Sequence, residues 1–186
     1  MLTKKLSILV LILLLNTDVI LSETPATSEL LETEAGELVL YQSIVINTSI
    51  DKVWDAYTTS EGWMTWVAPK AKVDLKIGGL IQTQYDPKAN IGDPGTNTLR
   101  IINYVPMKVL TMQADLSERW PEVMKRDAKD LMNVVIFKAI SDDQVQIDSY
   151  GVGYRKSPEY DNLMKFFIPA NEQLLTNLKT ILEKES

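Results

Sequence analysis

The side chains able to move a proton or hold a ligand are few in kind. The chain has 25 acidic and 19 basic residues but no histidine and no cysteine. Those two absences exclude a disulfide, a thiolate nucleophile, a zinc finger, a Ser-His-Asp triad, a Cys-His dyad and an imidazole base. Acid–base chemistry therefore falls to Asp148, Tyr150, Arg100 or a tuned glutamate, within reach of a bound carbonyl. Asp148 stands opposite Val145 and Ile147 in a strand-like run. With those two facing inward it is expected in solvent; burial would instead raise its pKa and suit it to proton transfer. Asp142-Asp143 read as a solvated turn, and Asp127 and Asp130, among Lys125, Arg126 and Lys129, as a solvated helix face. Neither a phosphate loop nor a calcium loop occurs, so no cofactor and no metal are expected.

The net charge of −6 argues against a nucleic-acid partner, which requires a basic footprint. The other resource is apolar. Met112, Met124, Met132 and Met164 fall where a sheet and a helix could meet, and methionine surfaces adapt to varied apolar guests. Trp54 is expected to pack a helix onto the sheet, whereas Trp63 and Trp66 suit either the core or the rim of a pocket.

The elements that must position these groups follow from hydrophobic periodicity. Residues 38–46 alternate with both faces mostly apolar, so they form a strand covered on each side. Thr48 and Asp51 are spaced as a capping box for a helix over residues 50–58, which also accounts for the Asn47-Thr48-Ser49 glycosylation pattern. Ser60 can cap a second short helix that Pro69 ends. Strands are predicted at residues 71–77, 81–85, 99–105, 109–114, 134–139 and 145–152, with Gly78-Gly79 as a hairpin turn and 86–97 as a long loop. An insert between Ala114 and Asn133 carries a short helix opened by Pro121. The chain ends in helix from Ser157-Pro158, with a kink or break expected at residues 166–169. Leu174, Leu175, Leu178, Ile181 and Leu182 form its apolar stripe, against solvated Glu172, Gln173, Lys179 and Glu183. The fold class is α+β: a curved antiparallel sheet of about six to seven strands gripping a long C-terminal helix, with two short helices after the first strand. A pocket is expected where that helix lifts off the sheet.

Residues 1–22 read as a signal peptide. Lys4 and Lys5 precede an apolar run over 6–15 that Asn16, Thr17 and Asp18 interrupt, and a cut after Ser22 fits. A membrane association would come only through an uncleaved leader. Residues 23–37 are acidic and small and read as a flexible linker, leaving 38–186 as the domain. The location implied is periplasmic or secreted.

Several short segments, in order, carry a likeness. They are residues 48–58 (TSIDKVWDAYT), Trp63 and Trp66, Val73-Asp74-Leu75 leading into Gly78-Gly79, Pro106 with Lys108 and Leu110, and residues 171–183 (NEQLLTNLKTILE). Together they resemble the SRPBCC superfamily of helix-grip proteins, which includes START-type lipid-binding domains. The nearest likeness is to domains similar to the activator of the heat-shock chaperone ATPase. The likeness spans residues 38–183, and it rests on core and turn positions that imply fold more than task. The leader departs from the chaperone-activating members, which look cytosolic, and speaks against a chaperone partner.

The expectation is an exported protein holding a lipid-like or other apolar small molecule between sheet and helix. Trp66, Tyr85, Met112, Tyr150, Met164 and Phe167 are the expected lining, with loop 86–97 and the insert near Trp120 gating access. The alternative is an enzyme resembling the superfamily's cyclases and dehydratases, using Asp148, Tyr150 or Arg100. A protein-interaction module on the sheet's outer face is the third reading, and it would need a large exposed apolar patch.

Overall fold

The computed structural model describes residues 25–184; the leader lies outside the described residues. The elements run β1 (Thr27–Glu32), β2 (Glu37–Ile46), α1 (Ile50–Thr58), α2 (Ser60–Trp66), β3 (Lys70–Val73), β4 (Leu80–Gln84), β5 (Asn97–Val105) and β6 (Val109–Asp115). Then follow α3 (Glu122–Arg126), β7 (Met132–Ser141), β8 (Gln144–Arg155) and α4 (Pro158–Lys184). The strands form one antiparallel sheet in the order β1-β2-β8-β7-β6-β5-β4-β3. After β2, the two short helices carry the chain to the far edge, and the β3-to-β8 meander returns to close beside β2.

The eighth strand is β1, which lies within the segment expected to be a linker. Its apolar content is low, and Leu30 and Leu31 are left exposed. Backbone pairing to β2 holds it instead, in register from Thr27 opposite Ser43 to Glu32 opposite Leu38. Gly36, at φ 78°, turns the chain between the two strands. The helix caps also shift by one residue from expectation. Ser49 accepts from the Lys52 amide at 3.5 Å at the start of α1, and Thr59 accepts from Gly62 at 2.9 Å at the start of α2. Ser60 instead accepts from the Val73 amide at 3.0 Å, tying α2 to β3.

Helix α4 is unbroken through Pro169. The proline removes one intrahelical donor, at a cost of about 3 kcal/mol in an isolated helix. Packing on both sides of it keeps the helix whole. Its second half places Leu175, Leu178 and Leu182 in the main core, with Ile44, Ile46, Val53, Trp54, Tyr57, Phe137, Val145 and Ile147. Lys179 and Glu183 are not solvated as expected. Lys179 is buried, donating to the Val45 carbonyl at 2.7 Å and to Glu183 at 2.8 Å. Glu183 in turn accepts from the backbone and side chain of Asn47 at 2.7 and 2.8 Å. That side-chain amide clamps the end of the helix to the end of β2. Among the described residues no helix is long and apolar enough to cross a membrane.

Candidate functional site

The inward row of β2 reads Leu38, Leu40, Gln42, Ile44, Ile46, all buried. Gln42 is its one polar member, and it divides the inner face. It donates to Ser28 Oγ at 2.8 Å and accepts from Asn171 Nδ2 of α4 at 2.9 Å. Next to it in register on β8 lies Ser149, which accepts from Asn133 Nδ2 of β7 at 2.9 Å. A belt of Ser28, Gln42, Ser149 and Asn133 thus crosses four strands, with Asn171 above it. The main core lies on one side. On the other is a second, separate apolar cluster of Leu40, Val123, Met124, Leu131, Tyr160 and Met164, with Trp120, Tyr154 and Phe167 packed against it. The insert and the first half of α4 build this second cluster, and the second half of α4 belongs to the core.

A hydrogen bond locks insert and helix together. The Tyr160 hydroxyl donates to Asp127 at 2.9 Å, and Arg126 lies 3.2 Å from the same carboxylate. Asp127 is therefore buried, not a member of a solvated face; Arg126 and then Tyr160 hold its carboxyl below the ordinary value against the opposing effect of burial. Tyr154 stacks near Tyr160 and Phe167, and burial pushes its hydroxyl up to about 12. Gly153, at φ 86°, brings β8 against the insert, and a Cβ there would strike the Asp130 carbonyl. Gly153→Ala is expected to cost about 2 kcal/mol and to speed amide exchange across residues 120–131, with little change in α1.

The six expected lining residues do not converge. Trp66 and Met112 are main-core residues. The Trp66 indole donates to the Ala56 carbonyl at 3.0 Å and its ring lies 4.9 Å from that of Tyr57, so it packs α2 onto α1. Met164 and Phe167 share the second cluster. Tyr85 is 53% exposed at the start of loop 86–96. Tyr150 lies on the outer face, its ring 5.0 Å from that of Tyr41. The inner face beneath the second half of α4 is filled by Trp54, Tyr57, Met112, Phe137 and Leu178 rather than hollow. Two open depressions occur elsewhere. One, of about 420 Å³, runs between α1, α2 and Ile181-Leu182 of α4; the other, of about 390 Å³, lies beside Gln113, Asp115 and Lys125.

Asp148 sits on the outer face as expected, yet only 1% of it is exposed. It accepts from Ser43 at 2.7 Å, Gln146 at 2.8 Å and Tyr41 at 2.9 Å. Its Oδ2 lies 2.6 Å from Lys138 Nζ in an ion pair. Burial pushes the carboxyl up, but Lys138, Gln146, Ser43 and Tyr41 together outweigh it and hold the carboxyl below its ordinary value. A lowered pKa is the opposite of what a proton-transfer group at neutral pH requires. Arg100 is exposed on the same outer face and donates to the Gly78 carbonyl at 3.3 Å. The acid–base alternative thus has none of its three groups under α4.

Sequence reasoning missed Gln42, Asn133, Ser149 and Asn171. Only Gln42 announced itself, as the amide interrupting an otherwise apolar inward row.

Comparisons with known proteins bear on this architecture. The family described as "Activator of Hsp90 ATPase homolog 1-like protein" matches residues 47–183. No curated protein matches the chain. Among solved structures, the Aha1 dimer of Colwellia psychrerythraea is 16% identical with a TM-score of 0.60, over 78% of this chain and 96% of that one. A protein of Nitrosomonas europaea is 18% identical with a TM-score of 0.61, over 84% and 100%. An HSP90 activator of Plasmodium falciparum is 15% identical with a TM-score of 0.56, over 77% and 95%. At such identities the likeness shows the fold, which is compatible with a ligand-binding domain and leaves a chaperone partner open. The helix-grip architecture and the match over most of the chain agree: the protein belongs to the Activator of Hsp90 ATPase homolog 1-like family, within the SRPBCC superfamily.

Proposed function

We propose that the protein is an exported binding domain that takes an apolar small molecule into the second cluster, between the polar belt and the insert. The observation that carries this reading is the division of the inner face. Methionine, tryptophan and phenylalanine side chains on the insert and the first half of α4 cover one end of the sheet without joining the main core. Such a satellite can part from the sheet while the core stays packed, because the two share no buried side chains. Pro169, which leaves one intrahelical bond unmade between the halves of α4, favours bending there. Met124 and Met164 suit a guest of variable shape.

Trp120 packs on the second cluster and so reports its occupation. Titrating the protein with fatty acids and apolar aromatic compounds is expected to give a saturable change in tryptophan fluorescence, which Met164→Ala weakens. No saturable response to any of them would overturn the reading. Export is tested separately by sequencing the N-terminus of protein taken from its source, which should begin just after Ser22. The family description favours a second reading, stimulation of a heat-shock chaperone ATPase. A rise in chaperone ATPase rate on adding this protein, together with an intact leader, would favour it over the first.

A further inference from the structure

Gln84, the last residue of β4, is 2% exposed, and its Nε2 has no hydrogen-bond partner. Its orientation is fixed by the other end of the amide, because Oε1 accepts from the Asp86 backbone N–H at 3.1 Å. A buried donor left unpaired is rare in folded proteins. Beside it, across Gly95, stands Arg119 of the insert. A Cβ on Gly95 would lie 3.3 Å from Gln84 Nε2 and 3.7 Å from Arg119 Nη1, so the two groups flank one spot beside Gly95. Gly95 is at φ 107°, which favours glycine. Among the described residues Arg119 forms no hydrogen bond or ion pair, in a chain whose net charge is −6.

Three acids of loop 86–96 and the insert are engaged, while Asp115 at the end of β6 makes no ion pair among the described residues. Asp86 accepts from Lys88 N at 2.8 Å, Asp93 from Asn90 N at 2.7 Å, and Glu118 pairs with Lys125 at 3.2 Å. Lys70, opposite Gln84 in register, donates to the Ala89 carbonyl. The donors that remain open are one guanidinium fork and one amide.

We infer that Arg119 and Gln84 Nε2, at the junction of loop 86–96 and the insert, bind the carboxylate of an apolar acid. This rests on the function proposed above: Trp120, next to Arg119, packs on the second cluster, so a carboxylate held here lets its apolar chain run there. The guanidinium matches a carboxylate's two oxygens, and the buried amide gains the acceptor it lacks. One cation suits a single negative charge.

The test compares dodecanoate, dodecan-1-ol and acetate by tryptophan fluorescence, for the full chain and for Arg119→Leu. Dodecanoate is expected to bind about tenfold more tightly than the alcohol. Arg119→Leu should remove that preference and leave the alcohol's affinity unchanged. Because Arg119 is exposed, this variant should fold; Gln84→Leu, checked by circular dichroism, is the second and should reduce the preference in part. Equal binding of acid and alcohol, or a preference that survives Arg119→Leu, overturns the carboxylate site and leaves the apolar pocket standing. Binding of neither long-chain compound overturns both. Acetate binding as tightly as dodecanoate would mean a site for small free anions, against the inference.

Discussion

Replacing Phe137 by alanine is expected to lower the unfolding free energy by about 4 kcal/mol. The ring is buried at the centre of β7, edge-on to Trp54 at 5.5 Å and to Tyr57 at 5.1 Å. Removing it takes away the surface on which both α1 aromatics rest. These are in turn fixed to α2: the Trp63 indole donates to the Tyr57 carbonyl at 2.7 Å, and the Trp63 and Trp66 rings lie 5.6 Å apart. The helix pair and the sheet are therefore one packed unit with little room to collapse into the gap, and the cost should fall at the upper part of the usual range. Phe137→Leu, which keeps most of the volume, should cost about 1–2 kcal/mol. Chemical denaturation measures both. A loss below about 1 kcal/mol for the alanine variant would mean that these aromatics are not what joins the helices to the sheet.

The second large effect is on the opposite face. Asp148→Ala strips the shared acceptor from Tyr41, Ser43 and Gln146 and the counter-charge from Lys138, and is expected to cost about 3 kcal/mol. Asp148→Asn keeps the shape, loses the charge and should cost about 2 kcal/mol. The pH dependence identifies the cause. The carboxyl's pKa is lowered by folding, so its stabilisation is fully present above the unfolded value near 4 and is lost as pH falls through the lower folded value. The stability gap between the parent and Asp148→Asn should accordingly stay constant from pH 7 to about 5 and narrow below about pH 4. A gap unchanged at pH 3 would show that the ionised carboxyl, held at a lowered pKa, is not the source of the difference.

Much of the architecture is legible in the sequence because it is written in local patterns. Alternation marks β2 and the meander, three- and four-residue spacing marks α1 and the end of α4, and the glycine pair Gly78-Gly79 marks the turn before β4. What alternation does not show is pairing that depends on backbone alone. Thr27–Glu32 carries no inward apolar row, and it is a strand because β2 offers an open edge. Nor does it show which charged side chains are buried, since that depends on partners distant in sequence. Asp148 is covered by Tyr41 and Lys138, Asp127 by Tyr160, and Lys179 by the Val45 carbonyl. One error was avoidable. The alternation that sets Asp148 against Val145 and Ile147 also sets Tyr150 on the outer face, so it could not line a space under the helix. The separation of Met112 from Met164 was not readable, because it depends on where Gln42 meets Asn171 across the molecule.

The strand order has a consequence for how the molecule comes into being. β2 is made early, yet its neighbour on one side is β8, so that Glu37 waits for Arg155 and Ile46 for Val145. Until β8 has been synthesised, the row from Leu38 to Ile46 has no partner on its central side and α4 no closed sheet to lie on. Such non-local closure is slow, placing the folding rate toward the millisecond-to-second end of the range for single domains. The hairpins from β3 to β7 can pair as they emerge, but the sheet is closed only when β8 reaches β2.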